Sequence, residues 1–172
     1  MQLVKIAGWL LGRLRDRENS HELAANVAAE ITDDKAKENV EDAIKFVEFE
    51  KLIETKDFSA AEEKADRIGN LEWRAWALAT LGKLQESNPR IAAELYEKSL
   101  KSLRKAWVSA YRAELAFFIA SLESGQNSLS TLETLSEAVA FANQAPDKTD
   151  ATALRKAVLL SIQAGDYGIF LD

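Results

Sequence analysis

The sequence holds one histidine, His21, and no cysteine. The side chains able to do acid–base chemistry near neutral pH therefore reduce to one short run. Arg15-Asp16-Arg17-Glu18-Asn19-Ser20-His21 places an arginine shortly before the histidine. That pairing suits phosphodiester cleavage, with His21 as general acid–base and Arg15 holding the scissile phosphate. A helix start explains the same residues, because Asn19 and Glu22 have the spacing of a capping box. Lack of cysteine excludes disulfides, thiolate zinc sites and cysteine nucleophiles, and a lone histidine builds no multi-histidine metal site. Carboxylates are plentiful (Glu30, Asp33, Asp34, Glu38, Glu41, Asp42, Glu48, Glu50), but no loop has the Asp-x-Asp-x-Asp-Gly spacing of a calcium site. They read as a solvated acidic surface. There is no glycine-rich phosphate loop and no serine in a glycine-flanked turn. No catalytic residue, metal or cofactor is assigned, and the chain is expected not to be an enzyme.

A second kind of chemistry, recognition, has better candidates. Trp73-Arg74-Ala75-Trp76 and Tyr111-Arg112-Ala113-Glu114 start two helical stretches, which puts Arg74 and Arg112 in equivalent positions. A guanidinium flanked by rings can clamp a carboxylate through two hydrogen bonds while the rings stack on an extended peptide. The same residues admit a structural role, in which each arginine holds the last carbonyls of the preceding helix and the rings fill the seam between helices. The N-terminal stretch sets Leu3, Ile6, Ala7, Leu10 and Leu14 on one face, with Lys5, Arg13, Arg15 and Arg17 around it. Such a helix can lie on a membrane, but it equally serves as the first helix of a stack, which is the expectation. A formal charge of −6 argues against nucleic acid, whose binding is driven largely by phosphate neutralisation.

The elements that must position these residues are helical. Only 2 prolines and 7 glycines interrupt 172 residues rich in Ala, Leu, Glu, Lys and Arg, which lose little side-chain freedom in a helix. Ser20, Asp57, Asn88, Ser128 and Asp166 are suited to N-cap helices and recur at similar intervals, each long enough for one pair of helices. Pro89 follows Asn88 at the first helical position, and Gly165 precedes Asp166 as a stop before a start. Ala24, Ala61, Ala92 and Leu132 stand one turn after the first four caps and open apolar stripes of helical period. The predicted helices are 2–17, 20–32, 34–55, 58–68, 71–87, 89–105, 107–124, 129–144 and 149–164.

Two helices in about 36 residues is the period of an α-solenoid. Trp76, Asn88, Ala92, Tyr96, Leu100 and the turn Gly165-Asp166-Tyr167 carry a resemblance to the tetratricopeptide repeat. Thr80 stands where that family has a small residue, and Lys83 replaces an aromatic. The resemblance implies an all-α, right-handed solenoid of about 4–5 antiparallel hairpins in one domain, 1–172. The pairs would be 2–32, 34–68, 71–105, 107–144 and a partial 149–172. It also implies a concave surface lined by first helices, which places Trp73, Arg74, Trp76, Lys83, Tyr111 and Arg112 against a protein or peptide partner. An adaptor or scaffold in the cytoplasm, without nucleic acid or membrane as partner, is the expectation. The Arg15/His21 run resembles the motif of the HEPN class of helical ribonucleases, which would imply a small metal-independent nuclease. A stack with apolar ends also permits self-association, as a homodimer or structural protein.

Overall fold

Polar side chains set where the helices begin. Asp33 Oδ1 accepts the Ala36 amide at 2.7 Å, and Asp57 Oδ1 accepts that of Ala60 at 3.1 Å. Asn70 Oδ1 takes two amides, from Glu72 and Trp73. Asn88 caps through the Ile91 amide with Pro89 behind it, and Ser109 Oγ accepts from Arg112. Each side chain satisfies helix-start donors that have no partner within the helix.

The structure, a computed structural model, describes residues 20–124 and 128–145. Seven α-helices and no strands occur among them: α1 (Ser20–Ala29), α2 (Asp34–Glu54), α3 (Phe58–Asp66), α4 (Leu71–Leu84), α5 (Pro89–Lys105), α6 (Ala110–Glu123) and α7 (Ser128–Gln144). The fold class is therefore all-α, as expected. The predicted helices 2–17 and 149–164, and the cap at Asp166, lie outside the described residues. One predicted start shifts. The helix expected from 107 begins at Ala110, because Ala106 turns extended (φ −69°, ψ 159°) and Ser109 supplies the cap. The α2–α3 junction closes without glycine. Lys56 takes a left-handed φ of 60°, and the Lys56 and Asp57 amides return to the carbonyls of Ile53 and Leu52, the six-to-one closure usually given to Gly.

The chain divides into two compact units, Met1–Ala77 and Leu78–Asp172, each with its own core. In the first, α1 packs on α2 and α2 on α3. Ala24, Ala28 and Ile31 meet Val40 and Ile44, while Phe49, Ala61, Ala65 and Ile68 are also buried. Small residues at helical spacing let these backbones approach closely. In the second, α5 packs on α6 and α6 on α7. Helix α5 buries one face through Ala92, Leu95, Tyr96, Leu100 and Leu103, whereas most of α6 is buried. Gly82 makes room for Tyr96: a Cβ there would sit 2.7 Å from its ring. Among the described residues no helix is long and apolar enough to cross a membrane.

Candidate functional site

The two Arg-aromatic starts fold into the same local device. In α4 the Arg74 Nε donates to the Ile68 carbonyl at 2.7 Å, just past the end of α3. In α6 the Arg112 Nη1 donates to the Ala106 carbonyl at 3.3 Å, just past the end of α5. Each arginine reaches back six residues from the first turn of its own helix. Both meet helix-end carbonyls that lack an intrahelical donor. This geometry matches the structural role weighed for them above.

The arginines differ in how fully they are engaged. Arg112 is 4% exposed, its Nη2 donates to Gln144 Oε1 at 2.7 Å, and its Cζ lies 4.0 Å from the centre of the Phe141 ring. Only its Nε is buried without a partner. Arg74 is half-buried, and its Nε bond is the one side-chain hydrogen bond found for it among the described residues.

The aromatic neighbours differ too. Trp73 and Trp76, both half-buried, meet Phe46 of α2 with ring centres 5.8 and 5.3 Å apart, and Phe46 meets Phe49 at 6.1 Å. Tyr111 is 44% exposed. Lys83 is exposed and ion-paired with Glu86 one turn on. Within the first unit Trp73, Arg74 and Trp76 thus share one helix turn, and within the second Tyr111 and Arg112 are adjacent while Lys83 stands on α4. Arg15 lies outside the described residues, and His21 is described only as part of the α1 backbone.

Sequence reasoning missed three features. The exposed residues of α6 are Tyr111, Glu114, Phe118 and Ser121, a stripe of helical period holding two aromatics and a single charge. Four residues before it in the chain, in the α5–α6 junction, Trp107 is 86% exposed. The one signal for it in the sequence is a tryptophan set between a basic helix end and a serine able to cap.

The second is Asp42, expected to be solvated but only 6% exposed. Its carboxylate accepts the amides of Gly69 (2.8 Å) and Asn70 (2.6 Å) and the Lys45 ammonium (3.0 Å), tying α2 to the α3–α4 turn. A cleft of about 430 Å³ opens beside it, lined by Lys35, Glu38, Asn39, Lys45 and Gly69 among others. The turn's two amides already point at Asp42 rather than into that space.

The third is Glu123, 5% exposed at the end of α6. Its Oε1 accepts from Ser130 Oγ at 3.0 Å, while its Oε2 has no partner. Burial raises its pKa, hydrogen bonds from Thr134 and Ser130 oppose that, and the Glu97 and Glu133 charges add to it. Tyr96 is its counterpart: the hydroxyl is buried without a partner. Burial first, then the Glu86 and Glu123 charges, push its pKa up to about 12. Nothing within the local sequence marks Glu123, because its partners Ser130 and Thr134 lie on α7.

No trio of His, Asp and Glu among the described residues is arranged to hold a metal. Known protein families, curated proteins and solved structures offer no match to this chain.

Proposed function

We propose that this chain is a non-enzymatic protein- or peptide-binding module of helical-repeat type, an adaptor or scaffold acting in the cytoplasm. Its helices would stack as right-handed antiparallel pairs in the manner of tetratricopeptide repeats. The observation that carries the reading is the exposed aromatic row of the second unit, Trp107, Tyr111 and Phe118. Isolated apolar side chains on a surface are ordinary, but two rings on one helical stripe, with an exposed tryptophan in the junction just before it, form an anchor set of the kind that dominates interface energy. The matching tethers of Arg74 and Arg112 support the repeat architecture that would present such a surface. Tyr111 belongs to the residues expected from sequence to meet the partner; Trp107 and Phe118 extend that set. Trp73, Arg74 and Trp76 of the first unit, and Lys83 of the second, remain secondary contacts in this reading.

The test is a pull-down from the native organism's lysate, comparing wild type with the Trp107→Ala/Phe118→Ala double variant. A partner held by wild type and lost by the variant, with the melting temperature unchanged, is expected. A partner held equally by both contradicts the assignment. A doubled mass in light scattering that collapses in the variant would make the partner a second copy of the chain.

A further inference from the structure

We propose that the partner of the aromatic row is a peptide segment carrying carboxylates beside an apolar or aromatic anchor, and that Lys101 and Lys105 receive the carboxylates; this rests on the peptide-binding reading above. The basic end of α5 holds Lys98, Lys101, Arg104 and Lys105. Arg104 is engaged within the fold: its Nε and Nη2 hold Glu137 of α7 at 2.7 and 3.0 Å, and its Nη1 holds Glu97 at 2.9 Å. Lys101 and Lys105 are exposed and have no ion pair among the described residues. They stand one turn apart, and Lys105 is two residues from Trp107. Two exposed lysines without an ion pair among the described residues thus stand within six residues of the most exposed ring of the second unit. A lysine at a helix C-terminus favours the helix dipole, but the dipole does not call for a tryptophan 86% exposed beside it.

The charge distribution gives the complex a direction. Glu114 sits on the stripe between Tyr111 and Phe118. The partner's carboxylates therefore meet the Trp107 end, and its apolar residues run towards Phe118. An anionic membrane is the weaker occupant. Lipid-binding segments gather about 4–8 basic residues, whereas two lysines are free here on a chain of net charge −6. A discrete acidic segment needs only local complementarity, which steers encounter and selects the partner.

A random-peptide display library, panned separately against the intact wild-type chain, Lys101→Glu/Lys105→Glu and Trp107→Ala, tests the inference. Wild type is expected to enrich peptides with Asp or Glu flanking an aromatic or aliphatic residue. Their affinity should fall roughly tenfold in the lysine double variant, and less as salt rises. Enriched peptides without carboxylates, or acidic ones bound equally by the lysine variant, overturn the acidic-partner inference while leaving peptide binding intact. Enrichment that does not depend on Trp107 overturns the binding surface itself. Vesicles of phosphatidylserine and phosphatidylcholine form the last arm. Binding to them that is lost in the lysine variant, with no peptide enriched, would assign the patch to a membrane and overturn the peptide.

Discussion

The two units treat the same residue types in opposite ways. In the first, tryptophans meet other rings: Trp73 and Trp76 lie on Phe46, which lies near Phe49. In the second, Trp107, Tyr111 and Phe118 face solvent. Rings gain most from water removal and ring contact, so an aromatic row left exposed points to a use outside its own unit. The buried acids diverge likewise. Asp42 has three donors on its carboxylate, while Glu123 has an oxygen without any and lies under the influence of two further glutamates. A fully satisfied buried carboxylate fixes a turn; an incompletely satisfied one leaves its unit sensitive to pH.

The sharpest break of this comparison is at the arginines. Arg112→Ala removes two hydrogen bonds from a charged donor and the contact with Phe141, and leaves the Gln144 and Ala106 oxygens without it. A loss of about 4 kcal/mol in urea unfolding is expected, against about 2 for Arg74→Ala, which forfeits one such bond. Equal losses would show that burial of Arg112 adds nothing.

Asp42→Ala comes next. Two amides of the α3–α4 turn lose their acceptor, at a cost of about 3 kcal/mol. Amide hydrogen exchange should speed at Gly69 and Asn70 in the first unit while α6 and α7 keep their protection. Slow exchange at those two amides in the variant would contradict the tie.

The smallest effect is a pH dependence confined to the second unit. Glu123 has a folded pKa raised above its unfolded value of about 4.3. The folded state therefore binds its proton more tightly, and this contribution is complete below about pH 4.3 and lost as pH rises through the raised value. Glu123→Gln should abolish that loss. The stability gap between variant and wild type then moves in the variant's favour between acid and neutral pH, read by urea unfolding at each. A gap independent of pH would mean that burial does not raise the Glu123 pKa. Tyr96, pushed up to about 12, stays neutral throughout this range.

What is legible in the sequence is local. Asp57 and Asn88 announce their helices because a cap bonds to an amide three residues away. Alanine at helical spacing announces the buried faces of α1, α3 and α5, where Ala24, Ala61 and Ala92 are fully covered. The arginine pair is visible from its matching surroundings, and its reach of six residues is also local. What stays hidden is decided across the chain. Asp42 finds its amides 27 and 28 residues away, and a carboxylate on α2 looks like its solvated neighbours until the turn arrives. Glu123 ends α6 among small and polar residues that promise exposure, yet α7 covers it. Trp107 reads as helical because the apolar pattern resumes there; the extended Ala106 and the cap at Ser109 remove it from the helix and leave it facing water.

The most direct test of the account is a hydrogen-exchange footprint of the intact chain with its captured partner bound. The account predicts new protection that is strongest across residues 105–118, with a smaller change around Trp73–Trp76. Protection at Trp73–Trp76 with none across 105–118 would contradict it, placing the binding surface on the aromatic cluster of the first unit instead.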